Sequence, residues 1–486
     1  MQFEIGPALL AAAGWLYAAS LAGVALFGLA LALTLAAAVW HRRPRPPAPP
    51  SGPWPALLVQ LPLFNERFVV ERLIDAAAAL DYPRDRLLIQ VLDDSTDDTG
   101  ALARARVAHH RARGVPIVHR PRLNRAGFKA GALAEGLAAA PDAELVAIFD
   151  ADFAPAPDFL RRLAPEFQAD PRLGMLQARW EHLNPEQNAL TRAQALAFDS
   201  FFAVEQVARS RAGWPMNFNG SAGLWRRACI EAAGGWQADT LAEDADLSYR
   251  ALLAGWRLDY RPEVAAPAEL APSLLAVKRQ QYRWATGSFQ VLGKLAGRLA
   301  RAPWPLTHKV WALLNLAGYA PQPLALAALL LSLPVVLAHG RAPVAWDVLG
   351  WLGLVPPLVA LWGQIRFRPE PVWRLRYYPV LMLGMIGLAL SNTAALAAAV
   401  AGRAGAFQRT PKGPAGAVYA VPLDWTTWGE LILALYAFAT GVLALERAPS
   451  LAPMLGVYAL SFGAVATQGL REAWAQRLGE GSRFKV

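Results

Sequence analysis

Two groups of carboxylates, each placed directly after an apolar run, could hold a divalent cation. Asp93 and Asp94 follow residues 87–92, and Asp150 and Asp152 follow residues 145–149. Carboxylate oxygens are ligands that Mg and Mn ions accept, and a bound cation could neutralise a diphosphate leaving group. Asp94 could instead form a turn and cap the next helix. Helix capping needs only one carboxylate, so the pair of Asp150 and Asp152 favours a functional role.

The segment 124–133 places a lysine between these two groups. Lys129 lies near the start of an expected helix, with Gly127 and Gly131 in its first turn. A helix amino end and a lysine both attract phosphate oxygens, and small residues let a ligand approach the backbone closely. The alternative is a solvated surface lysine beside two glycines that have no special role.

Glu243 and Asp244 begin a third acidic segment, EDADLSYRALLAGW, which has the pattern of a helix. The helix dipole favours acidic residues in a first turn, so this pair could serve only as a cap. Further along, Gln280, Arg283 and Trp284 occur within VKRQQYRWATGS. An indole beside a guanidinium offers a flat face for a pyranose and a cation for phosphate. Interfacial aromatics with a snorkelling arginine would have the same composition.

Residues 57–268 have the pattern of an α/β domain that could position these groups. Short apolar runs alternate with charged helical stretches, which is typical of a largely parallel sheet. Ligands of such sheets gather at the carboxyl ends of the strands, where the first two acidic groups fall. We expect strands at 57–61, 87–92, 116–118 and 145–149, and helices at 66–80, 99–113, 127–139 and 157–168.

The composition of the chain places part of it in a lipid bilayer. Of 486 residues, 55% are hydrophobic and 17% are charged, which is more apolar than soluble proteins usually are. The single Cys229 excludes an intramolecular disulfide framework. The net charge of +10 is explained by arginines at the edges of apolar runs. We expect no nucleic acid as a partner, because no basic stripe carries interleaved aromatics.

Apolar runs flank the α/β domain on both sides. Residues 7–40 carry no charge and precede a basic stretch, which predicts an N-terminal transmembrane helix with its anchor (1–45), an outside amino terminus and a linker at 46–56. The domain would then face the cytoplasm at the inner or plasma membrane. Residues 269–309 are typical of interfacial helices, and 310–486 of a membrane region with apolar runs at 310–338, 344–365, 380–401, 425–445 and 451–470.

These elements, in this order, resemble the processive family 2 glycosyltransferases, the group of cellulose, hyaluronan and mannan synthases. The family pattern is an Asp after the second strand, an Asp-x-Asp, a Thr-Glu-Asp and a Gln-x-x-Arg-Trp, and the resemblance covers about residues 54–412. Only the Thr is replaced, by Ala242, which puts a supporting hydrogen bond in doubt. The stretch FNGSAGLWR and the segments after it are similar to the cellulose-synthase-like branch associated with mannan and glucomannan.

The resemblance implies a GT-A-type nucleotide-sugar-binding domain, inserted between transmembrane and interfacial helices, that polymerises a β-linked polysaccharide (glucomannan, mannan or glucan) from GDP-mannose or UDP-glucose. It implies Asp244 as the general base with Glu243 beside it, and a Mg or Mn ion on Asp152 and Asp150. By the same resemblance Trp284 and Gln280 bind the growing polysaccharide acceptor, and Asn65, Glu66, Asp94, Lys129, Asp150 and Arg283 bind the donor. The alternative is a non-processive transferase that glycosylates a membrane lipid.

Residues 407–412 resemble the gating loop of these synthases, with Arg409 in place of a Val. Thr410 and Lys412 would then contact the donor diphosphate and exclude water, whereas the alternative is a basic cytosolic connector. For this loop, at 403–414, to reach the donor, the run 380–401 must not cross the membrane. Its polar centre and its basic flanks on both sides predict a broken or re-entrant segment. The several C-terminal spans suggest a channel for the polymer.

Overall fold

The structure, a computed structural model, describes residues 7–338, 352–368, 373–402 and 422–483. Within these ranges a mixed α/β domain lies between one long N-terminal helix and a C-terminal group of apolar helices. This arrangement is the fold class predicted from the sequence. The gating loop predicted at 403–414, with Thr410 and Lys412, lies outside the described residues.

Seven strands form one sheet in the α/β domain. They are β1 (Leu57–Leu63), β2 (Leu87–Asp93), β3 (Ile117–Pro121), β4 (Leu145–Ile148), β5 (Leu173–His182), β6 (Gly223–Arg226) and β7 (Arg257–Ala268). Their order is β3-β2-β1-β4-β6-β5-β7, in which β6 runs antiparallel to both its neighbours and all other pairs are parallel. The sheet is therefore mixed, and the four predicted strands form its parallel half.

The last three strands lack the continuous apolar runs that indicate β1, β2 and β4. β6 has only four residues, and β7 is an edge strand that carries charged residues and two prolines. Charges and prolines are tolerated at a sheet edge, where one side of the backbone needs no ladder partner. Sequence periodicity therefore gave no signal for this half of the sheet.

Helices cover both faces of the sheet. They are α2 (Val70–Ala78), α3 (Thr99–Arg111), α4 (Phe128–Ala138), α5 (Phe159–Ala169), α6 (Ala189–Ser200), α7 (Val207–Ala212), α8 (Arg227–Ala232) and α9 (Glu243–Leu253). A π-helical segment, Phe201–Gln206, joins α6 to α7. The helix predicted at 66–80 begins later, at Val70, because Asn65 adopts a left-handed conformation with φ 58° at the end of β1.

The flanking helices include one N-terminal and eight C-terminal elements among the described residues. They are α1 (Pro7–Trp40), α10 (Leu274–Arg301), α11 (Leu306–Leu316), α12 (Pro321–Leu337), α13 (Val355–Phe367), α14 (Tyr378–Gly387), α15 (Ala389–Val400), α16 (Trp425–Arg447) and α17 (Ala452–Arg483). Three candidate spans, Ala8–Trp40, Trp425–Arg447 and Pro449–Arg477, are long and apolar enough to cross a membrane. Two bent pairs raise the possible number of spans to five.

The bent pairs correspond to two of the predicted apolar runs. α11 and α12 meet at 67°, and the helical stretch Trp373–Gly387 meets α15 at 40°. The second pair contains the run 380–401, and its break agrees with the predicted broken segment. α13 has 13 residues, fewer than the roughly 20 that a spanning helix needs. Whether the run 380–401 crosses the membrane stays a prediction.

Apolar packing joins the α/β domain to the flanking helices. One face of the sheet packs on α2, α3 and α5, and the other on α4, α8 and α9. The second cluster also contains Ala38 of α1 and Val355 and Val359 of α13, all at most 9% exposed. The two regions therefore share a hydrophobic core.

Candidate active site

A cavity of about 290 Å³ opens at the carboxyl ends of β1, β2 and β4 and is lined on another side by α10. Ligands of α/β sheets bind at such strand ends. The cavity brings together residues that are up to 220 positions apart in the chain. The predicted site residues that line it are Glu66, Asp94, Lys129, Asp150, Asp152, Glu243, Asp244, Gln280, Arg283 and Trp284.

The rim of the cavity is built by the loops after β1 and β2. The backbone N–H of Asn65 donates to Ser95 Oγ at 2.9 Å, and the N–H of Thr96 donates to Asn65 Oδ1 at 2.8 Å. These two bonds lock the ends of the two strands together. Asp94 accepts two hydrogen bonds from Arg122, at 2.6 Å from Nε and 2.7 Å from Nη2. Asp94 therefore does not cap α3, which begins at Thr99.

Arg122 is a site residue that the sequence analysis missed. Its guanidinium also donates to Glu135 Oε1 at 2.8 Å and to the carbonyl oxygen of Phe128 at 3.1 Å. One side chain thus joins the loop after β2 to the start of α4, which carries Lys129. An arginine in a loop offers no periodic signal, and only its contacts reveal this role.

Lys129 lies among carboxylates. Its Nζ donates to Asp150 Oδ1 at 2.6 Å and to the carbonyl oxygen of Gly220 at 2.8 Å, and is 3.6 Å from Glu243 Oε1. Burial opposes a charged lysine, but Asp150 and Glu243 outweigh burial and raise the pKa of Lys129. The lysine is therefore a fixed cation at the centre of the acidic group, and not a solvated surface residue.

Close backbone approach explains the glycines around this lysine. A Cβ at Gly131 would lie 2.1 Å from the carbonyl oxygen of Ala126, which no side chain permits. Gly127, with φ 68°, precedes the helix in a left-handed conformation that glycine adopts readily. The two glycines therefore allow the tight entry into α4 that turns Lys129 toward Asp150.

Negative charge exceeds positive charge at this point of the cavity. Asp150, Glu243 and Asp244 lie around Lys129, and Asp152 lines the same cavity. Burial raises the pKa of Asp150, with the charge of Asp152 adding to this effect and Lys129 opposing it. Burial, followed by the charge of Glu243, raises the pKa of Asp244 to about 7. Such perturbed carboxylates in a cleft mark a functional site.

The start of α9 positions Asp244. The N–H of Ala245 donates to Asp244 Oδ1 at 2.8 Å, and the N–H of Leu241, just before the helix, donates to Gln290 Oε1 of α10 at 2.8 Å. A Cβ at Gly287 would lie 2.7 Å from the Cβ of Ala242, so α10 packs directly on the residue that replaces the Thr of the family pattern. The packing of α10 and the hydrogen bond to Gln290 therefore hold the segment before α9 in place, although Ala242 has no hydroxyl group.

An aromatic group lies beside Trp284. The ring of Phe198 meets the indole of Trp284 edge-on at 6.2 Å between centroids, and Trp180 lies 5.6 Å from Phe198. All three side chains line the cavity, as does Gln280. Flat aromatic faces suit the apolar face of a sugar ring. Trp180 and Phe198 are not among the predicted site residues, because β5 and α6 are not among the predicted elements.

A second group of potential metal ligands is filled by a guanidinium. Among the residues that the structure describes, Glu181, His182 and Asp199 bring three ligand atoms within 4.8 Å of one another. Arg368 donates to both oxygens of Asp199, at 2.7 and 2.8 Å, and lies 2.7 Å from Glu181. Burial acts against the ionised form of Asp199, but the bonds from His182 and Arg368 lower its pKa overall. We interpret the group as an ion-pair network that attaches α13 to the α/β domain.

Arg368→Leu should destabilise the protein, because it leaves the buried Asp199 without its main partner. Removing one member of a buried ion pair costs about 3–5 kcal/mol of unfolding free energy. We expect a clear fall in the melting temperature of the detergent-solubilised protein, whereas Arg366→Leu, at an exposed position two residues earlier, should leave it close to wild type. Equal melting temperatures for the two variants would contradict the network.

The mixed sheet, with its acidic cavity at the strand ends, has the GT-A-type architecture that the sequence predicts. Residues 55–287 match the family described as "Glycosyltransferase like family 2". The predicted resemblance is therefore confirmed for residues 55–287, which are similar to the family 2 glycosyltransferases. The matched segment begins just before β1 and ends in α10, after Trp284, so it includes every described residue predicted to act in the site.

Among characterised proteins, the chain is similar to plant mannosyltransferases. It is 43% identical over 254 residues to glucomannan 4-beta-mannosyltransferase 2 of Arabidopsis thaliana. The aligned residues make up 52% of this chain and 48% of that protein. It is 40% identical over 265 residues to glucomannan 4-beta-mannosyltransferase 1 of Oryza sativa subsp. japonica. Here the aligned residues make up 53% of this chain and 51% of that protein. The chain thus spans about half the length of these curated relatives. The similarity agrees with the predicted mannan and glucomannan branch.

One solved structure shares the fold at lower sequence identity. A mannosyltransferase from Pyrobaculum calidifontis, in complex with GDP-Man and Mn2+, superposes with a TM-score of 0.56 and 23% identity over 81% of this chain and 99% of that protein. At this identity the comparison supports the fold alone.

Proposed function

We propose that the protein is an inverting glycosyltransferase that transfers mannose from GDP-mannose to a growing β-linked mannan or glucomannan. The observation that supports it most is the placement of Asp244, with its raised pKa, beside Lys129 and Asp150 and in the same cavity as Trp284. The mannosyl donor is chosen over UDP-glucose because the relatives at 40–43% identity are mannosyltransferases.

The donor would lie along the strand ends. In this proposal Asn65, Glu66 and Asp94 form the nucleoside side, where the two loops are locked together. Lys129 and Arg283 provide positive charge for the diphosphate. Lys129 is bonded to Asp150 in the structure, so it would have to share its ammonium protons between that carboxylate and a phosphate oxygen.

The carboxylates also fit a divalent cation. Four acidic side chains line the cavity together with Lys129, and the donor set of Asp150 and Asp152 consists of oxygens, which Mg and Mn ions prefer. We therefore propose a Mg or Mn ion on Asp152 and Asp150. When bound, it would neutralise the charge that develops on the leaving diphosphate.

Asp244 would act as the general base. Its carboxylate accepts the proton of the acceptor hydroxyl as that oxygen attacks the anomeric carbon from the side opposite the nucleotide. A new glycosidic bond forms while the sugar–phosphate bond breaks, and its electron pair leaves with GDP. A single displacement converts an α-linked donor into a β-linked product, and no covalent enzyme intermediate is required.

The acceptor would be a sugar chain. Trp284, with Phe198 and Trp180 behind it, offers stacking faces for a pyranose, and Gln280 adds a polar group on the same side of the cavity. Radiolabelled GDP-mannose and UDP-glucose given to the purified protein, followed by digestion with linkage-specific hydrolases, test this assignment. We expect a product that a β-mannanase degrades; label recovered only in lipid would support the alternative acceptor.

We further propose that the protein is an integral membrane protein with a cytoplasmic catalytic domain and a polymer channel. The three long candidate spans and the two bent pairs support the membrane part. The proposal of a gating loop at 403–414 requires the segment 380–401 to return to the cytoplasmic side.

Single cysteines test this topology. In a Cys229→Ser background, Arg374→Cys and Gly405→Cys flank the segment 380–401, and both should resist a membrane-impermeant thiol reagent applied to intact cells. Both should react after the membrane is permeabilised, which is the control for accessibility. Labelling of Gly405→Cys from outside would reject the gating-loop assignment, and labelling of Arg374→Cys would reject the topology.

A further inference from the structure

Helix α10 presents two opposite faces to two parts of the protein. Gln280, Arg283 and Trp284 line the cavity. Lys278 lies about 120–160° around the helix from these residues, at 3.6 residues per turn. Its side chain is 3% exposed. The helix that is proposed to bind the acceptor therefore carries a buried cation on its other face.

The partners of Lys278 belong to the start of α16. Its Nζ is 2.8 and 3.0 Å from the two oxygens of Glu430 and 3.0 Å from Asp424 Oδ1, and it donates to Thr427 Oγ1 at 3.2 Å. Glu430 has no exposed surface. Two carboxylates and one hydroxyl from a single helical turn and its cap thus enclose one ammonium group.

A third carboxylate holds the beginning of α10. Glu472 of α17 accepts hydrogen bonds from the backbone N–H groups of Leu274 and Leu275, at 2.8 and 3.0 Å. The first N–H groups of a helix have no partner within the helix, so this contact satisfies two of them. Both α16 and α17 therefore attach to the first two turns of α10.

The apolar contacts of α10 with the C-terminal helices do not fix its rotation alone. Val277 packs with Leu388 and Val465, and Phe289 packs with Ala395. Apolar contacts are non-directional, whereas an ammonium group between two carboxylates is held at one position. The ion pair therefore adds a buried directional contact to the one that Tyr319 makes with Gln281, at 3.0 Å.

We propose that Lys278 and Glu430 are a positioning pair, which sets the rotation of α10 and thereby the orientation of Gln280 and Trp284 toward the acceptor. This inference rests on the proposed function, since it assigns a support to the acceptor site. The physical reason is that a buried charge without its partner must reach water or acquire a new partner. Movement of α10 is then transmitted to Trp284, six residues along a rigid helix, and misplacement by about 1 Å reduces transfer about 100-fold.

The test uses the full-length protein in detergent. Lys278→Met and Glu430→Gln are compared with Arg298→Met and Glu446→Gln, which lie at exposed positions of the same two helices. Transfer from GDP-mannose to mannan oligosaccharides is measured at varied donor and acceptor concentrations. We expect the acceptor KM to rise about 10-fold or more in the two pair variants. The donor KM should rise by a smaller factor, because among the proposed donor-binding residues only Arg283 lies on α10.

Rescue separates positioning from general stability. Lys278→Arg should keep the acceptor KM within about threefold of wild type, because the guanidinium can still bind both carboxylates. The exchanged variant Lys278→Glu with Glu430→Lys should recover most of the loss of either single change. Equal losses in the donor and acceptor parameters, or less folded protein with unchanged KM values, would overturn the proposal.

The reaction rate of a thiol placed at the cavity reports the position of α10 without any substrate. In the Cys229→Ser background, Gln280→Cys places a thiol at the cavity, and Lys278→Met should change its maleimide reaction rate at least about threefold by moving α10. An unchanged rate would overturn the positioning pair. A wild-type protein that transfers no sugar from any nucleotide donor would instead reject the proposed function, while the thiol rates still decide the role of the pair.

Discussion

Asp244→Asn should reduce sugar transfer by about 100-fold or more, while GDP-mannose binding stays close to wild type. The amide keeps the shape of the side chain and its bond to the N–H of Ala245, but it cannot take the acceptor proton. Transfer is measured with radiolabelled donor, and donor affinity by titration calorimetry. The matched control is Asp142→Asn, an exposed turn residue outside the cavity. Turnover comparable to wild type would exclude Asp244 as the base.

The pH dependence provides a second measure of the same residue. Burial and the charge of Glu243 raise the pKa of Asp244 to about 7. Only the ionised carboxylate accepts a proton, so kcat/KM should rise with pH through neutrality and level off above it. A raised pKa also means that ionising Asp244 lowers the free energy of unfolding, a loss that accumulates between the ordinary pKa of 3.8 and about 7 and stays constant at higher pH. At pH 8 the Asn variant should therefore melt no lower than wild type, which separates lost catalysis from lost folding.

Removal of divalent ions should abolish transfer, and Asp152→Ala should do the same in the presence of excess Mg or Mn. The physical reason is that Lys129 already shares its charge between Asp150 and Glu243, so Lys129 and Arg283 together do not neutralise a leaving diphosphate. We expect losses of about 100-fold or more, since neutralising a diphosphate leaving group contributes several kcal/mol. The assay follows transfer after EDTA treatment and again after each ion is restored.

The control for this variant is Asp158→Ala, whose side chain is 60% exposed at the start of α5. Its activity should equal that of wild type with either ion. Full activity of the wild-type protein in EDTA after extensive dialysis would show that Lys129 and Arg283 supply the positive charge alone, and the cation would then be withdrawn from the proposal.

Half of the sheet and most of the site could be predicted from the sequence. Because β1, β2 and β4 are buried on both faces, their sequences are mostly apolar, with Gln60 and Gln90 as interior exceptions, and Asp94 and Asp150 follow the ends of β2 and β4. The start of α9 at Glu243 is likewise visible, because acidic residues gather in its first turn. In these cases one physical cause determines both the residue types in the sequence and the place of the element in the fold. That cause is burial for the strands and the helix dipole for α9.

The contacts that hold the site in place were not predictable. Arg122 reaches Asp94 from a loop, and Arg368 reaches Asp199 from a segment 169 positions away. Such pairs depend on the tertiary path of the chain, and a lone arginine in a sequence gives no indication of its partner. For the same reason the role of Lys129 could be predicted only in part. Its charge and its place near the start of α4 are read from the neighbouring sequence, but its hydrogen bond to Asp150 depends on the tertiary fold.

The core shared by the α/β domain, α1 and α13 has a consequence for protein production. A fragment limited to residues 55–287 would expose the apolar surface that Ala38, Val355 and Val359 cover. Exposed apolar patches of this kind promote aggregation in water. The catalytic domain should therefore be expressed together with its flanking helices and extracted in detergent or nanodiscs, and enzymology on an excised soluble fragment would report on a misfolded population.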